Sequence, residues 1–306
     1  MSGEIRGVPA RIGIAALNLL APGLGLLRVQ RAKAAALLLL APPALIGLLI
    51  LVYAALPTIG FRTWAVLMAV LLAAILGLYV ASIALSWRAS RPVQAPGRWW
   101  SRWYGMVGAL LVILAAGALL QDVAFGYYKS FYTPAESMAP TLLVNDRFVA
   151  SMRGPGELRR GDIIVFDVGG PIYVKRVAAL AGDRIAMRDG VVILNGHPVP
   201  QRLVRSERIE SLGMLTEVRR LSEQFPGEAA PHEIYDSGDW SFDDMAERVV
   251  APGHVFVLGD NRDHSADSRV PRAEMGVEQL PIADIRGRAL FHTWGPSGRM
   301  GVPLTP

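Results

Sequence analysis

Ser137 and Lys175 are the two residues of this 306-residue chain whose types and surroundings most clearly suggest chemistry. A serine hydroxyl is a weak nucleophile until a nearby base removes its proton. A lysine amine can act as that base when its surroundings keep it neutral. Lys175 lies in an alternating pattern typical of a β-strand, which turns it to the same face as Tyr173 and Val177. Burial on that face lowers the pKa of a lysine, so the pattern predicts a Ser/Lys pair.

Two alternatives to this pair stay open on the sequence pattern. The first is an edge-strand lysine whose long side chain reaches water. The second is a Ser-His-Asp arrangement, for which His264 directly follows Asp263. Neighbouring residues seldom hydrogen-bond as a base and its orienting group, so this second hypothesis is the weaker one. Of the other histidines, His197 lies in a predicted turn and His232 in a polar segment, where solvated roles are the default.

The polar segment 259–269, which directly follows a short apolar run, is the third candidate for chemistry. Buried polar groups at the end of a strand must satisfy one another. We therefore predict a charge-assisted pair between Asp267 and either Arg269 or Arg176, and a hydrogen bond from Ser265 that orients the amine of Lys175. A calcium-like site is the alternative, but the spacing of the oxygen ligands does not fit the EF-hand pattern. The chain has no cysteine, which excludes disulfides, thiolate metal sites and a cysteine nucleophile.

Three long apolar runs precede these residues and predict a membrane region over residues 1–126. Runs 34–56 and 64–87 carry no charge and exceed the roughly 20 residues that span a bilayer. The third run, 104–125, reaches that length when it continues past Asp122. Segment 12–27 is shorter and contains Pro22, so two interpretations remain: an interfacial or re-entrant hairpin, or a short span.

The basic residues predict the orientation of this membrane region. Arginines and a lysine precede the first long run and arginines separate the second from the third, whereas the linker between the first two has only Arg62. By the positive-inside rule the basic connectors are cytoplasmic, so the third span runs outward. We therefore expect a multi-pass protein of the inner, or cytoplasmic, membrane whose residues 127–306 lie on the outer, periplasmic or extracytoplasmic side.

The formal charge of +5 does not indicate binding to nucleic acid. A nucleic-acid site would need a basic patch with aromatic residues on a folded surface. The nearest candidate, residues 98–104, contains three tryptophans, a tyrosine and two arginines, but it adjoins an apolar run. An aromatic belt at the membrane interface explains this composition better. We expect the lipid bilayer as a partner and no nucleic acid.

From residue 127 onward the chain predicts a mainly β domain. Short apolar runs bounded by glycine and proline are typical of strands, and no long amphipathic helix competes with them. The segment 201–250 is polar and mixed in charge, so we interpret it as an insertion or side lobe with little catalytic importance. The predicted strands are 147–151, 162–167, 173–179, 184–187, 191–194, 197–200, 254–258 and 289–293.

Taken together, three segments of this chain resemble the bacterial type I signal peptidases, the leader peptidase family of Ser/Lys membrane proteases. Residues 137–142, Ser-Met-Ala-Pro-Thr-Leu, match the nucleophile motif of that family. Residues 160–166 and 173–176 match the strand and lysine motifs, and 259–269 match the last motif almost throughout. The resemblance covers about 127–200 and 250–295 and implies a signal-peptidase-like β fold after an α-helical transmembrane region.

The resemblance implies a role for each matching residue. Ser137 would be the nucleophile and Lys175 the general base, with catalytic support from Ser265, Asp267, Arg269 and Arg176. The substrates would be secretory and membrane preproteins, cut after small residues in an Ala-x-Ala pattern through an acyl-enzyme, with no metal or organic cofactor. The extended segment of the signal peptide would bind as an added strand. The residues expected to bind it are Thr133, Pro134, Ala135, Met138, Leu142, Ile172, Tyr173 and Val174.

Two departures from the family pattern keep other functions open. Many members carry a hydroxyl residue two places before the nucleophile, where its side chain helps to hold the oxyanion, and here that residue is Ala135. The chain also has more apolar segments before residue 90 than the one or two anchors that are usual. The alternatives are a degenerate membrane scaffold without catalysis and a Ser/Lys protease that matures one dedicated substrate.

Overall fold

The computed structural model describes residues 8–56, 59–90, 97–170, 172–211, 213–238 and 240–304. Contacts between residues divide the chain into two compact units. The first comprises Met1–Pro57 with Arg62–Tyr127, and the second comprises Thr58–Phe61 with Tyr128–Pro306. We refer to them below as the helical unit and the β unit.

Within its described residues, the helical unit contains three helices that are long and apolar enough to cross a membrane. They are α3 (Ala32–Ala55), α4 (Phe61–Ala89) and α5 (Trp103–Phe125). Their side chains are mostly exposed and apolar along the whole length, as expected for helices whose solvent is lipid. Each helix begins one to three residues before the corresponding predicted run, because its first turn includes residues that an apolar run leaves out.

The segment before α3 forms two short helices, α1 (Val8–Ala16) and α2 (Leu24–Arg28). The turn between them centres on Asn18, whose side-chain oxygen accepts hydrogen bonds from the backbone N–H groups of Gly23 and Gly25, each at 3.1 Å. The Asn18 amide donates to Ser86 Oγ of α4 at 2.9 Å. Backbone groups of a turn in an apolar medium need such internal partners, so this buried asparagine makes the hairpin compatible with a membrane.

The β unit is built from antiparallel strands, which confirms the prediction of a mainly β domain after a helical region. Its main sheet has seven strands in the order β1-β2-β14-β3-β4-β12-β13. A second sheet has the order β11-β5-β6-β7 and a third the order β10-β9-β8. The strands of the main sheet are β1 (Tyr128–Tyr132), β2 (Arg147–Ser151), β3 (Ile163–Asp167), β4 (Ile172–Ala179), β12 (His254–Leu258), β13 (Leu280–Pro281) and β14 (Ile285–Trp294). Those of the other sheets are β5 (Arg184–Arg188), β6 (Val191–Leu194), β7 (His197–Pro198), β8 (Gln201–Ser211), β9 (Met214–Glu223), β10 (His232–Asp236) and β11 (Met245–Val249).

Strand β3 lies in the middle of the main sheet and is buried on both faces. Its residues from Ile163 to Phe166 are fully buried, and they separate two apolar clusters. One cluster contains Ile163 and Val165 together with Met138 and Leu142, which follow the predicted nucleophile in the chain. The apolar core therefore anchors the chain segment that directly follows Ser137.

The segment 201–250 contains four strands that the sequence pattern did not predict. In the hairpin of β8 and β9 most residues of β8 are exposed on both faces, so no apolar alternation marks it as a strand. Charge pairs across neighbouring strands stabilise it instead: Arg220 contacts Glu233 of β10 at 2.5 Å and Glu207 of β8 at 3.3 Å. The polar composition of β8 reflects solvent on both faces of this strand and not the absence of regular structure.

Candidate active site

Ser137 lies in the connection between β1 and β2, in a tight turn that its neighbours anchor. The Ala139 N–H donates to the Glu136 carbonyl at 2.9 Å, and the Leu142 N–H donates to the Met138 carbonyl at 2.8 Å. The side chains of Met138 and Leu142 are 1% and 0% exposed in the core. Because both neighbours are fixed, the hydroxyl of Ser137 has a defined position at the surface of the core.

Lys175 lies within β4, opposite Ile164 of β3, and its side chain points toward Ser137. Its amine Nζ is 2.6 Å from Ser137 Oγ, within hydrogen-bond distance. The residue is only 3% exposed, so the alternative of an edge-strand lysine that reaches water is wrong. The reason is that its side chain points from the sheet toward Ser137 and the loop after β12, whose Asp260, Asp267 and Arg269 lie close enough to act on its charge.

Burial lowers the pKa of Lys175 from 10.5 to about 8. Loss of hydration is the main cause, because the charged ammonium loses more by burial than the neutral amine does. The carboxylates of Asp267 and Asp260 act in the opposite direction and raise this pKa, whereas the Arg269 guanidinium lowers it further. The net effect leaves a sizeable fraction of the amine neutral near pH 8, as a general base requires.

Asp267 and Arg269 form the buried pair that was one of the two predicted alternatives. Arg269 Nε donates to Asp267 Oδ1 at 2.9 Å and Nη2 donates to Oδ2 at 3.0 Å. The same carboxylate accepts a hydrogen bond from the Gly259 N–H at 3.0 Å. These bonds close the loop between β12 and β13. Burial alone would raise the pKa of Asp267, but the charge of Arg269 and the hydrogen bonds outweigh it, so this pKa lies below its usual value.

Arg176 does not contact Asp267, so the other alternative is wrong. It pairs with Asp260, with Nε to Oδ1 at 2.8 Å and Nη2 to Oδ2 at 2.7 Å. Its Nη1 also donates to the Gly161 carbonyl at 2.8 Å. Arg176 follows Lys175 on β4 and therefore points to the opposite face of the sheet, away from Asp267. There it links β4 to Gly161 in the connection before β3 and to Asp260 in the loop after β12.

The predicted hydrogen bond from Ser265 to Lys175 is not formed. Ser265 Oγ is buried and has no hydrogen-bond partner among the described residues, and the amine of Lys175 bonds to Ser137 instead. Ser265 nevertheless lies close to the pair. A Cβ atom built on Gly259 would lie 2.1 Å from Ser265 Oγ and 2.5 Å from the Ser137 carbonyl oxygen. Only glycine at 259 allows the two chain segments to approach this closely.

Asn261 fixes the nucleophile turn, and the sequence interpretation missed it. Its backbone N–H donates to the Ser137 carbonyl at 3.2 Å, and its Nδ2 donates to the Glu136 carbonyl at 3.3 Å. The signal that could have revealed it is its place in the segment 259–269, where every polar side chain near the end of a strand needs a partner.

The segment 201–250 contributes buried charges to the loop of the site, contrary to the expectation of a lobe with little importance. Glu223 of β9 pairs with Arg262, whose Nη1 donates to Oε1 at 3.0 Å. His232 is buried and not solvated: its Nδ1 lies 2.9 Å from Glu228 Oε1. Glu228 in turn lies 3.7 Å from Arg176. A polar segment can thus be buried where its charges pair with those of a neighbouring loop.

A groove of about 720 Å³ runs past Ser137 and Lys175. Of the residues expected to bind substrate, Leu142 does not reach it, because this side chain is fully buried in the core. His264 and Ala266 line the groove as well, although neither was expected to do so. The other expected residues line it: Thr133, Pro134, Ala135, Met138, Ile172, Tyr173 and Val174.

Comparison with known proteins gives consistent relatives. The family model described as "Signal peptidase, peptidase S26" matches residues 103–294. A signal peptidase I of Bacillus caldolyticus is 33% identical over 172 residues, which cover 55% of this chain and 80% of the relative. That of Pseudomonas aeruginosa is 30% identical over 190 residues, covering 54% of this chain and 64% of the relative. A solved signal peptidase I from Enterococcus faecalis V583 is 22% identical and covers 43% of this chain and 96% of its own, with a TM-score of 0.25, too low to carry an argument.

The fold and the site define a protein with apolar helices of membrane-spanning length and a mainly β unit that places a half-buried serine beside a buried lysine. The matched family model extends over more than half of the chain. The chain belongs to the signal peptidase family, peptidase S26, whose bacterial type I members are serine endopeptidases.

The buried pair of Arg176 and Asp260 yields a prediction about stability. Asp260→Asn leaves the Arg176 charge buried without its main partner, so we expect the free energy of unfolding of the β unit to fall by about 3–5 kcal/mol. The measurement is the resistance of the full chain in detergent to proteolysis at increasing urea concentrations.

The control is Glu157→Gln, because Glu157 forms a 3.4 Å pair with Arg159 in which the side chains are 83% and 70% exposed. Its effect should stay below about 1 kcal/mol; equal effects of the two variants would contradict the account.

Proposed function

We propose that this protein is a membrane-bound serine endopeptidase that removes signal peptides from exported preproteins by Ser/Lys catalysis. The observation that carries the proposal is the 2.6 Å contact between Ser137 Oγ and the buried amine of Lys175. A buried lysine with a lowered pKa beside a hydroxyl is the arrangement that activates a serine nucleophile. Membership of the signal peptidase family supports the choice of substrate.

In the proposed reaction, the Ser137 oxygen attacks the scissile carbonyl carbon while neutral Lys175 takes the hydroxyl proton. The tetrahedral intermediate collapses when the ammonium of Lys175 returns that proton to the leaving amine, which breaks the peptide C–N bond and forms an acyl-enzyme. Lys175 is then neutral again and takes a proton from the water that attacks the ester. Release of the acid regenerates the Ser137 hydroxyl, so every proton passes through one amine.

The developing oxyanion would be held by the backbone N–H of Ser137, for which no described residue acts as an acceptor. Ala135 carries no side-chain donor. Loss of one oxyanion donor costs on the order of 2.7–4 kcal/mol in enzymes that depend on it. We therefore infer that this enzyme relies on the turn geometry of Ser137 more than relatives with a hydroxyl at position 135 do.

The groove supports binding of an extended peptide by strand addition. Strand β12 pairs with β4 only at residues 176–179, so no described strand covers residues 172–174 of β4 on that side. The main-chain groups of this edge and of residues 133–135 can pair with a substrate strand, whose alternate side chains then enter the groove. Met138 and Val174 line the groove beside Ser137 with apolar side chains, and this lining supports a preference for small apolar residues in an Ala-x-Ala pattern.

The three apolar helices and the basic connectors support a place in the cell membrane. With the connectors on the cytoplasmic side, the β unit lies on the outer side, where the cleavage sites of exported proteins emerge. The lipid bilayer is then the second partner of the protein beside its preprotein substrates.

Removing either member of the pair should abolish cleavage of a preprotein with an Ala-x-Ala site. We expect Ser137→Ala and Lys175→Met each to lower kcat by at least about 10³-fold, because the nucleophile and the base act as one unit. The assay uses purified full-length protein in detergent, with Ser206→Ala and Lys33→Met as matched controls that keep kcat, because both residues are exposed and neither lines the groove. Equal cleavage by the parent and both dyad variants would refute the pair, and no cleavage by folded parent protein would favour the scaffold alternative.

The rise of kcat/KM on the acid side of the pH profile should follow the deprotonation of the Lys175 amine. Half of this amine is neutral at its pKa of about 8, so we expect kcat/KM to rise with pH through a midpoint near 8 and to level off above about 9. Asp267→Asn removes a charge that favours the ammonium form, so the midpoint of the profile should move to lower pH. The control is Asp244→Asn, whose side chain is exposed and which should keep the midpoint. A profile that is flat between about pH 5 and 9 would contradict the lysine base.

A further inference from the structure

A polar cluster borders the groove beside the nucleophile and has no part in the mechanism above. It consists of Glu136, Ser211 and His264, which we call the Glu136 cluster. Glu136 Oε1 lies 2.7 Å from Ser211 Oγ and 2.8 Å from His264 Nδ1. Ser211 Oγ lies 2.7 Å from the same ring nitrogen. Three parts of the chain that are far apart in sequence thus meet next to Ser137.

The hydrogen bonds of the cluster fix the tautomer of the imidazole. The Glu136 carboxylate can only accept, so both Ser211 Oγ–H and His264 Nδ1–H must donate to it. His264 Nε2 is then the ring nitrogen left without a partner among the described residues. The side chain of His264 is 21% exposed and lines the groove. The edge of the Trp240 ring packs against it, with ring centroids 6.2 Å apart.

The position of the cluster relates it to one side of the scissile bond. In the proposed binding mode, the substrate strand lies along residues 133–135 and reaches Ser137 with its cleaved carbonyl group. The lining of the groove changes there from strand edges to the loop that carries His264 and Ala266. A peptide that continues past Ser137 therefore meets His264 with the residue that follows the scissile bond.

We propose that the Glu136 cluster binds the side chain of the substrate residue that follows the scissile bond, and that it favours a hydrogen-bond donor or a basic group over an acidic one. This inference rests on the proposed function. The carboxylate of Glu136 gives this end of the groove a negative charge, and its side chain is 19% exposed. His264 Nε2, held by that carboxylate, offers an acceptor to an ammonium or amide group. An acidic side chain would find neither a donor nor a favourable charge.

The test uses three peptides that share an Ala-x-Ala site and differ only in the following residue, which is lysine, glutamine or glutamate. Full-length protein in detergent is assayed at pH 9, where the amine of Lys175 is mainly neutral. We expect kcat/KM to be about two- to fivefold higher for the lysine than for the glutamate peptide, as for one partly exposed charge interaction. The ratio within one enzyme cancels any general effect of a variant on catalysis.

Glu136→Gln should bring this ratio close to one, and His264→Leu should abolish the advantage of the glutamine peptide over the glutamate peptide. Ser211→Ala, which does not flank the nucleophile in sequence, should reduce the ratio and keeps the test decisive if Glu136→Gln does not fold. The matched control is His254→Gln, because His254 Nδ1 faces the Pro252 carbonyl and does not line the groove; its ratio should equal that of the parent.

Three results would overturn the inference alone. The first is a parent enzyme that cleaves all three peptides with equal kcat/KM, and the second is a ratio that the cluster variants leave unchanged. The third is a charge preference that follows residues before the scissile bond, because the cluster would then lie on the wrong side. Failure of the folded parent to cleave any peptide would instead refute the proposed function, and the inference with it.

Discussion

The burial of one lysine amine against one serine hydroxyl is the constraint on which the rest of the β unit depends. Lys175 loses its hydration between the sheet and the loop after β12, and the resulting fall in pKa turns a cation into a potential base. Burial of a charged amine is costly. Nearby carboxylates that strongly favoured the ammonium form would also raise the pKa of Lys175 again. The surrounding structure therefore has to set both the position and the electrostatic environment of this amine.

A set of buried charge pairs provides that environment. Asp267 is neutralised by Arg269, Asp260 by Arg176, and Glu223 by Arg262. Each pair fixes a loop near the site, and the guanidinium of Arg269 offsets part of the effect by which Asp267 favours the ammonium form of Lys175. Such pairs contribute more to a unique geometry than to net stability, since desolvation offsets much of their attraction. Glu223 comes from segment 201–250, as do Glu228, which lies near Arg176, and His232, which contacts Glu228. The insertion is therefore part of the support of the site.

The sequence allowed prediction of those features that depend on local pattern. Apolar length predicted α3, α4 and α5, and alternation predicted the orientation of Lys175. Motif resemblance located Ser137 and the loop with Asp267 and Arg269. What could not be predicted depends on contacts distant in sequence: the partner of Arg176, the role of Asn261 in the nucleophile turn, and the hairpin of β8 and β9, whose exposed faces carry no apolar period. Ser265 and Leu142 show the limit of a motif, since a matching residue type does not specify the contact it makes.

The titration of the Lys175 amine itself is the most direct measurement of the central claim. The chain has three lysines, Lys33, Lys129 and Lys175, so selective isotope labelling of lysine gives a simple NMR spectrum in detergent, and a Lys175→Arg variant assigns the signal. The account predicts that the Lys175 signal titrates with a pKa of about 8. A signal that titrates at the ordinary lysine value of 10.5 would contradict it, because the amine would then be charged at the pH where a general base is needed.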